Sequence, residues 1–109
     1  MNQREIKKSK IFERELAQLD KKHRGLADKV EIILNRLASG EKLNEKRYLG
    51  CDGLIFQIRC GTGNMGRRSG ARIIYSKDES QLLVLYIYLK NAEGRISSKK
   101  IMKIFNEYQ

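Results

Sequence analysis

Eight consecutive apolar residues, Leu82-Leu83-Val84-Leu85-Tyr86-Ile87-Tyr88-Leu89, set the strongest limit on how this chain folds. The run is far short of the ~20 residues a membrane span needs. Being apolar at every position, it reads as the central strand of a sheet. The polar turn Lys77-Asp78-Glu79-Ser80 joins it to a preceding strand at about 71–76, in which Arg72 and Ile74 face opposite to Ile73 and Tyr75. Further upstream, Leu54, Phe56, Ile58 and Cys60 alternate with Ile55, Gln57 and Arg59. That is the period of a strand with one buried face, and it predicts that Arg59 points away from whatever covers the sheet.

The covering comes from helices. From about Ser9 to Lys22, Phe12, Leu16 and Leu19 fall at helical spacing among charges, with Ser9 placed to cap the start. Gly25 breaks the pattern, after which Leu26, Val30, Ile33, Leu34 and Leu37 mark one face of a second helix that Gly40 terminates. Residues 3 to 8 fit either an extension of the first helix or a short edge strand. Near the C-terminus, Ser97 or Ser98 caps a helix with Ile101, Ile104, Phe105 and Tyr108 on one face. The order predicts an α+β fold with an N-terminal helical hairpin packed on a small antiparallel-rich sheet, followed by a C-terminal helix. Helices are expected on one face of the sheet, with Arg59 and Arg72 on the other, partly free face. With 109 residues, no proline, no repeat and no low-complexity tract, the chain reads as a single domain, 1–109.

Charge narrows the class of partner. Twenty-three Lys and Arg against thirteen Asp and Glu give a formal charge of +10, which points to an anionic partner. From Gly53 to Lys77 there are five basic residues, Arg59, Arg67, Arg68, Arg72 and Lys77, and no acid. The N-terminal MNQREIKKSK is charged throughout and has no apolar segment of a secretion signal, so a cytoplasmic protein is expected. Two cysteines and one histidine are too few for a structural zinc site, and no metal or other cofactor is expected.

Gly61, Gly63 and Gly66 have the spacing G-x-G-x-x-G of a dinucleotide loop. Such glycines cradle a pyrophosphate only when they follow a strand and open a helix. Here Ala71-Arg72-Ile73-Ile74-Tyr75 follows, which is strand-like, so the loop is expected to be a hairpin with no nucleotide cofactor.

The stretch from Arg59 to Arg72, R-C-G-T-G-N-M-G-R-R-S-G-A-R, together with Lys90-Asn91 after the apolar strand, resembles the HigB-like branch of the RelE toxins of bacterial toxin–antitoxin systems. That branch has an Arg, a loop of the type G-x-G-[KR]-x-G-G-x-R, and a Lys-Asn after the last core strand. The matching residues are Arg59, Gly63, Gly66, Arg67, Gly70, Arg72, Lys90 and Asn91, with Ser69 standing where the family has glycine. The resemblance covers nearly the whole chain, its specific motifs lying between residues 50 and 91. It implies a RelE-like fold and a ribosome-dependent endoribonuclease that cuts messenger RNA in the ribosomal A site, without metal, by attack of a ribose 2′-hydroxyl on the adjacent phosphate. It also implies a cognate antitoxin, a helix-turn-helix DNA-binding protein.

The residue inventory suits that chemistry. Arginine's planar fork holds a phosphate while negative charge develops, and Arg59, Arg67 and Arg72 are the candidates. Lys90 is a candidate general acid or base, or a plain contact to phosphate. Arg68, Lys77 and Asn91 are candidate RNA contacts. Tyr75 and Tyr88 are either stacking platforms for a splayed base or core residues. His23 lies between the two N-terminal helices, Cys60 lacks a histidine partner, and Asp52, Asp78 and Glu79 sit in separate turns, so none of these forms a catalytic set. Two other classes fit the charge: an inhibitor of DNA gyrase, as in the ParE relatives, and a non-catalytic RNA- or ribosome-binding protein.

Overall fold

The computed structural model describes residues 3–51, 54–61 and 70–108, apart from the side chains at 91 and 93. Elements follow in the order β1 (Glu5–Lys8), α1 (Lys10–Lys22), α2 (Leu26–Ala38), β2 (Lys46–Arg47), β3 (Ile55–Cys60), β4 (Ala71–Lys77), β5 (Gln81–Leu89), α3 (Lys90–Glu93) and α4 (Ser98–Glu107). The fold is α+β. The five strands form one sheet in the order β1-β5-β4-β3-β2, antiparallel except where β1 runs parallel to β5. The apolar run is thus an interior strand, one place from the centre, with β4 in the middle. Residues 5–8 take the edge-strand alternative, because β5 offers them a ladder: the Glu5 amide donates to Ser80 O at 2.9 Å and the Ser9 amide to Val84 O at 2.9 Å.

The helical hairpin forms where the capping residues put it. Ser9 accepts from the Phe12 amide at 3.0 Å and opens α1. Gly25, at φ 93°, supplies the left-handed residue that turns the chain into α2. At the far end Gly40, at φ 88°, donates to Leu37 O and Glu41 to Arg36 O, the paired bonds of a Schellman terminus. Phe12, Leu26, Val30, Leu34 and Leu37 are buried in one cluster with Ile58, Ile73, Tyr75, Val84 and Ile87 from one face of the sheet.

The opposite face is not left to solvent, which corrects the one-sided arrangement expected from sequence. Ile101, Ile104 and Phe105 of α4 join Tyr48, Ile55, Ile74, Leu83, Leu85, Tyr86 and Tyr88 in a second core cluster. The physical reason lies in Ile55, Ile74, Leu83 and Leu85, apolar residues of this face that are at most 1 % exposed. Leaving the face open would have exposed them, so α4 crosses it.

One irregularity sets which side chains face α4. Tyr86 pairs with Ile74 but Val84 with Tyr75, so Leu85 is an extra residue, a β-bulge. Leu85 and Tyr86 consequently lie on the same face, and Tyr88 follows them there. Were these same residues regularly paired, the alternation would send both tyrosines to the α1–α2 side. The bulge is held from the neighbouring strand: Ser9 takes the Val84 carbonyl with its amide and the Leu85 carbonyl with its hydroxyl at 2.8 Å.

Candidate functional site

The face that carries α4 is only partly covered by it. Toward the Cys60 end of β3 the sheet register lines up Arg59, Arg72 and Tyr88 in one row across β3, β4 and β5. Neighbouring strands lie about 4.8 Å apart, so the two guanidinium stems start side by side. A cleft of about 290 Å³ lies over this row. Gln57 and Tyr88 belong to its sheet side, Lys46, Arg47, Tyr48 and Leu49 come from the β2 edge, and Lys90, Gly94 and Arg95 from the segment after β5. Among the described residues, six of those lining it are Lys or Arg and none is Asp, Glu, His or Cys.

Local structure explains how each part is held. Gly70 comes so close to the end of β3 that a Cβ there would stand 2.5 Å from Cys60 O, so only glycine lets β3 and β4 meet at this point. Its carbonyl accepts from Arg72 Nη1 at 3.1 Å and from the Lys90 amide at 3.4 Å, tying two candidate residues to one backbone group. The rim is clamped shut on itself: the Tyr48 hydroxyl donates to Ile96 O, Arg95 lies over the Tyr48 ring at 4.8 Å, and Arg95 Nη2 donates to Leu49 O. A cleft braced in this way does not need to reorganise around a ligand.

The electrostatics point one way. Arg72 is 3 % exposed, and burial, then the Arg59 charge beside it, press its pKa downward, with Tyr88 opposing. Arginine keeps its proton regardless. An anion in the cleft would offset both effects. Burial, then Tyr88, push the Tyr48 hydroxyl up to about 12, so it stays a neutral donor. The Tyr88 hydroxyl lies 3.3 Å from Gln57 Oε1.

No family model matches this chain, and no curated protein matches it either. What the site can do is accordingly judged on its chemistry.

Of the candidates expected from sequence, Arg59, Arg72 and Lys90 come together in the cleft. Arg67 and Arg68, with Gly63 and Gly66, lie outside the described residues, as does the side chain of Asn91. Two RNA-contact expectations are corrected. Tyr75 cannot stack a base: it is fully buried on the α1–α2 face, and its hydroxyl donates to Glu45 Oε1. Lys77 lies five residues along β4 from Arg72 and pairs with Glu45 while covering the Phe56 ring at 4.9 Å. Its charge is already answered. Tyr88 is 3 % exposed, and its ring belongs to the second core cluster, so its stacking alternative gives way to the core one.

Lys46, Arg47 and Arg95 line the cleft and were not among the sequence candidates. A two-residue strand leaves almost no periodic signal, so β2 was invisible. The strands on either side of the glycine loop, β3 and β4, pair antiparallel with Cys60 opposite Ala71, as the hairpin expectation has it. Among the described residues there is no group of three His, Cys, Asp or Glu placed to hold a metal ion, and no helix is long and apolar enough to cross a membrane.

Proposed function

We propose that this protein is a ribosome-dependent endoribonuclease, the toxin of a toxin–antitoxin pair. The observation that carries the proposal is the cross-strand pair Arg59–Arg72 in a cleft to which the described residues bring six Lys or Arg, with Lys90 at its edge. Two arginines facing one another repel unless an anion lies between them, and a phosphodiester satisfies both with paired hydrogen bonds. The cleft's size suits the phosphate and sugar of one strand. A duplex is too wide for it.

In the proposed reaction a ribose 2′-hydroxyl attacks the adjacent phosphorus. The P–O2′ bond forms, the P–O5′ bond breaks, and the products are a 2′,3′-cyclic phosphate and a free 5′-hydroxyl. Arg59 and Arg72 neutralise the charge that grows on the non-bridging oxygens in the transition state, where a fixed donor is worth most. The 2′-hydroxyl gives up its proton as it attacks and the departing O5′ takes one; Lys90 serves one of these two transfers and water the other. Lys46, Arg47 and Arg95 draw in the flanking backbone. A helix-turn-helix antitoxin presenting an acidic segment would neutralise the same cleft by charge complementarity.

The test is primer extension on a messenger RNA translated in a purified system, with a ribosome-free control. New 5′ ends should appear at codon-phased positions only when ribosomes are present. They should vanish with Arg72→Ala and with Arg59→Ala, the latter an exposed residue whose loss leaves folding intact. Cleavage undiminished in both variants would remove the cleft from the mechanism. Intact RNA beside inhibited DNA supercoiling would move the protein to the gyrase inhibitors.

A further inference from the structure

A second hollow lies on the other side of the β3 edge. It encloses about 260 Å³ and is lined by Ile33 and Arg36 of α2, Leu43 and Asn44 of the connector into β2, and Ile58 and Arg59 of β3. Arg59 therefore belongs to both hollows. Topology explains this double membership. β2 pairs with β3 only at Phe56 and Gln57, so from Ile58 onward β3 is the edge of the sheet among the described residues. Successive residues there point to opposite faces, Ile58 toward the α1–α2 cluster and Arg59 into the row with Arg72. A long side chain at an uncovered edge reaches around it.

The two hollows differ in chemistry. The cleft over Arg72 is rich in Lys and Arg. The second has apolar walls from Ile33, Leu43 and Ile58, one primary amide from Asn44, and an Arg36 whose charge is answered by Glu41, with Nε donating to Oε2 at 2.8 Å. Its volume is that of roughly nine waters at about 30 Å³ each. That matches one flat heterocycle and is too little for a folded peptide segment. An amide offers a donor and an acceptor side by side, the pattern that pairs with a base edge.

We infer that this hollow receives the nucleobase next to the phosphate held by Arg59, so that the strand crosses the β3 edge with backbone on one face and base on the other. The inference rests on the cleft being the phosphate site proposed above, and adds that the protein reads base identity at one position beside the cut. RNA is read in this manner, by splaying a base from single strands into a pocket.

The test is to sequence all 5′ ends produced in the reconstituted translation reaction by wild type, by Asn44→Ala, and by Ile33→Trp, which fills the hollow. Wild type should show a base bias at one position flanking the cut, and an amide-to-base contact is worth about tenfold. Either variant should flatten that bias while still cutting. Cutting with the wild-type bias in both variants would overturn the inference and leave the nuclease standing. No cutting by wild type would overturn both together.

Discussion

Ser9 should be worth more to this fold than a serine ordinarily is. Its hydroxyl is fully buried and makes two bonds, accepting from the Phe12 amide at 3.0 Å to start α1 and donating to the Leu85 carbonyl at 2.8 Å. Ser9→Ala removes both without opening a route for water. Loss of an N-cap costs about 1 kcal/mol, and a buried carbonyl deprived of its donor costs a further ~1–2 kcal/mol, so the sum is about 2–3 kcal/mol. At an unfolding entropy of about 2 cal/mol/K per residue, a chain of this length should lose about 10 °C in Tm. Ser9→Gly separates the two bonds, because glycine is a tolerable cap but cannot donate to Leu85; it should lose about half as much. Thermal unfolding followed by circular dichroism gives both values, and hydrogen exchange should show the Phe12 amide opening faster in the alanine variant. A Ser9→Ala protein within about 0.5 kcal/mol of wild type would refute the reasoning, since that is the range of a surface substitution.

Other expectations follow from the cleft. Arg59→Gln removes a like charge directly opposite Arg72 and should raise stability by about 0.2–1 kcal/mol while abolishing cleavage; millimolar phosphate should raise the Tm of wild type and leave the variant unmoved. Lys90→Arg keeps the charge but not an exchangeable proton, so it should lose roughly 10²–10⁴-fold in single-turnover cleavage, as Lys90→Ala does; full activity in the arginine variant would reduce Lys90 to a phosphate contact. At high pH the sign is set by Tyr48. Its folded pKa of about 12 lies above the ~10 of an unfolded tyrosine, so the unfolded chain releases its proton first. Stability present in full below pH 10 should therefore fall by on the order of 2–3 kcal/mol as pH rises to 12. Tyr75, raised in the same direction, adds to that loss. Denaturant melts of Tyr48→Phe across this range should show a smaller alkaline decline.

Much of this architecture was legible in the chain because local chemistry and global fold agree. Ser9, Gly25, Gly40 and Ser97 cap or turn the helices at the positions their types suggest. The Arg59–Arg72 row followed from strand periodicity and a hairpin register alone. Three things stayed hidden, each for a physical reason. β2 is too short to show a period. The side taken by α4 depends on Ile55, Ile74, Leu83 and Leu85 coming together on one face, which is decided by strand pairing across a bulge that leaves no local signal. The burial of Tyr75 against Glu45 joins residues 30 apart through a connector with no pattern of its own.

The slip in β5 makes part of the cleft a matter of counting. Val84 and Tyr86 sit opposite consecutive residues of β4, so removing Leu85 would close the ladder and leave Tyr86 and Tyr88 beneath the cleft. Removing Ile87 instead would keep the bulge, turn Tyr88 toward α1 and α2, and set Leu89 beside Arg72. No tyrosine or arginine would have been altered, and part of the floor of the cleft would be gone. A relative one residue shorter at Leu85 keeps its inside and outside, whereas one shorter by a residue just beyond the bulge interchanges them for the rest of the strand.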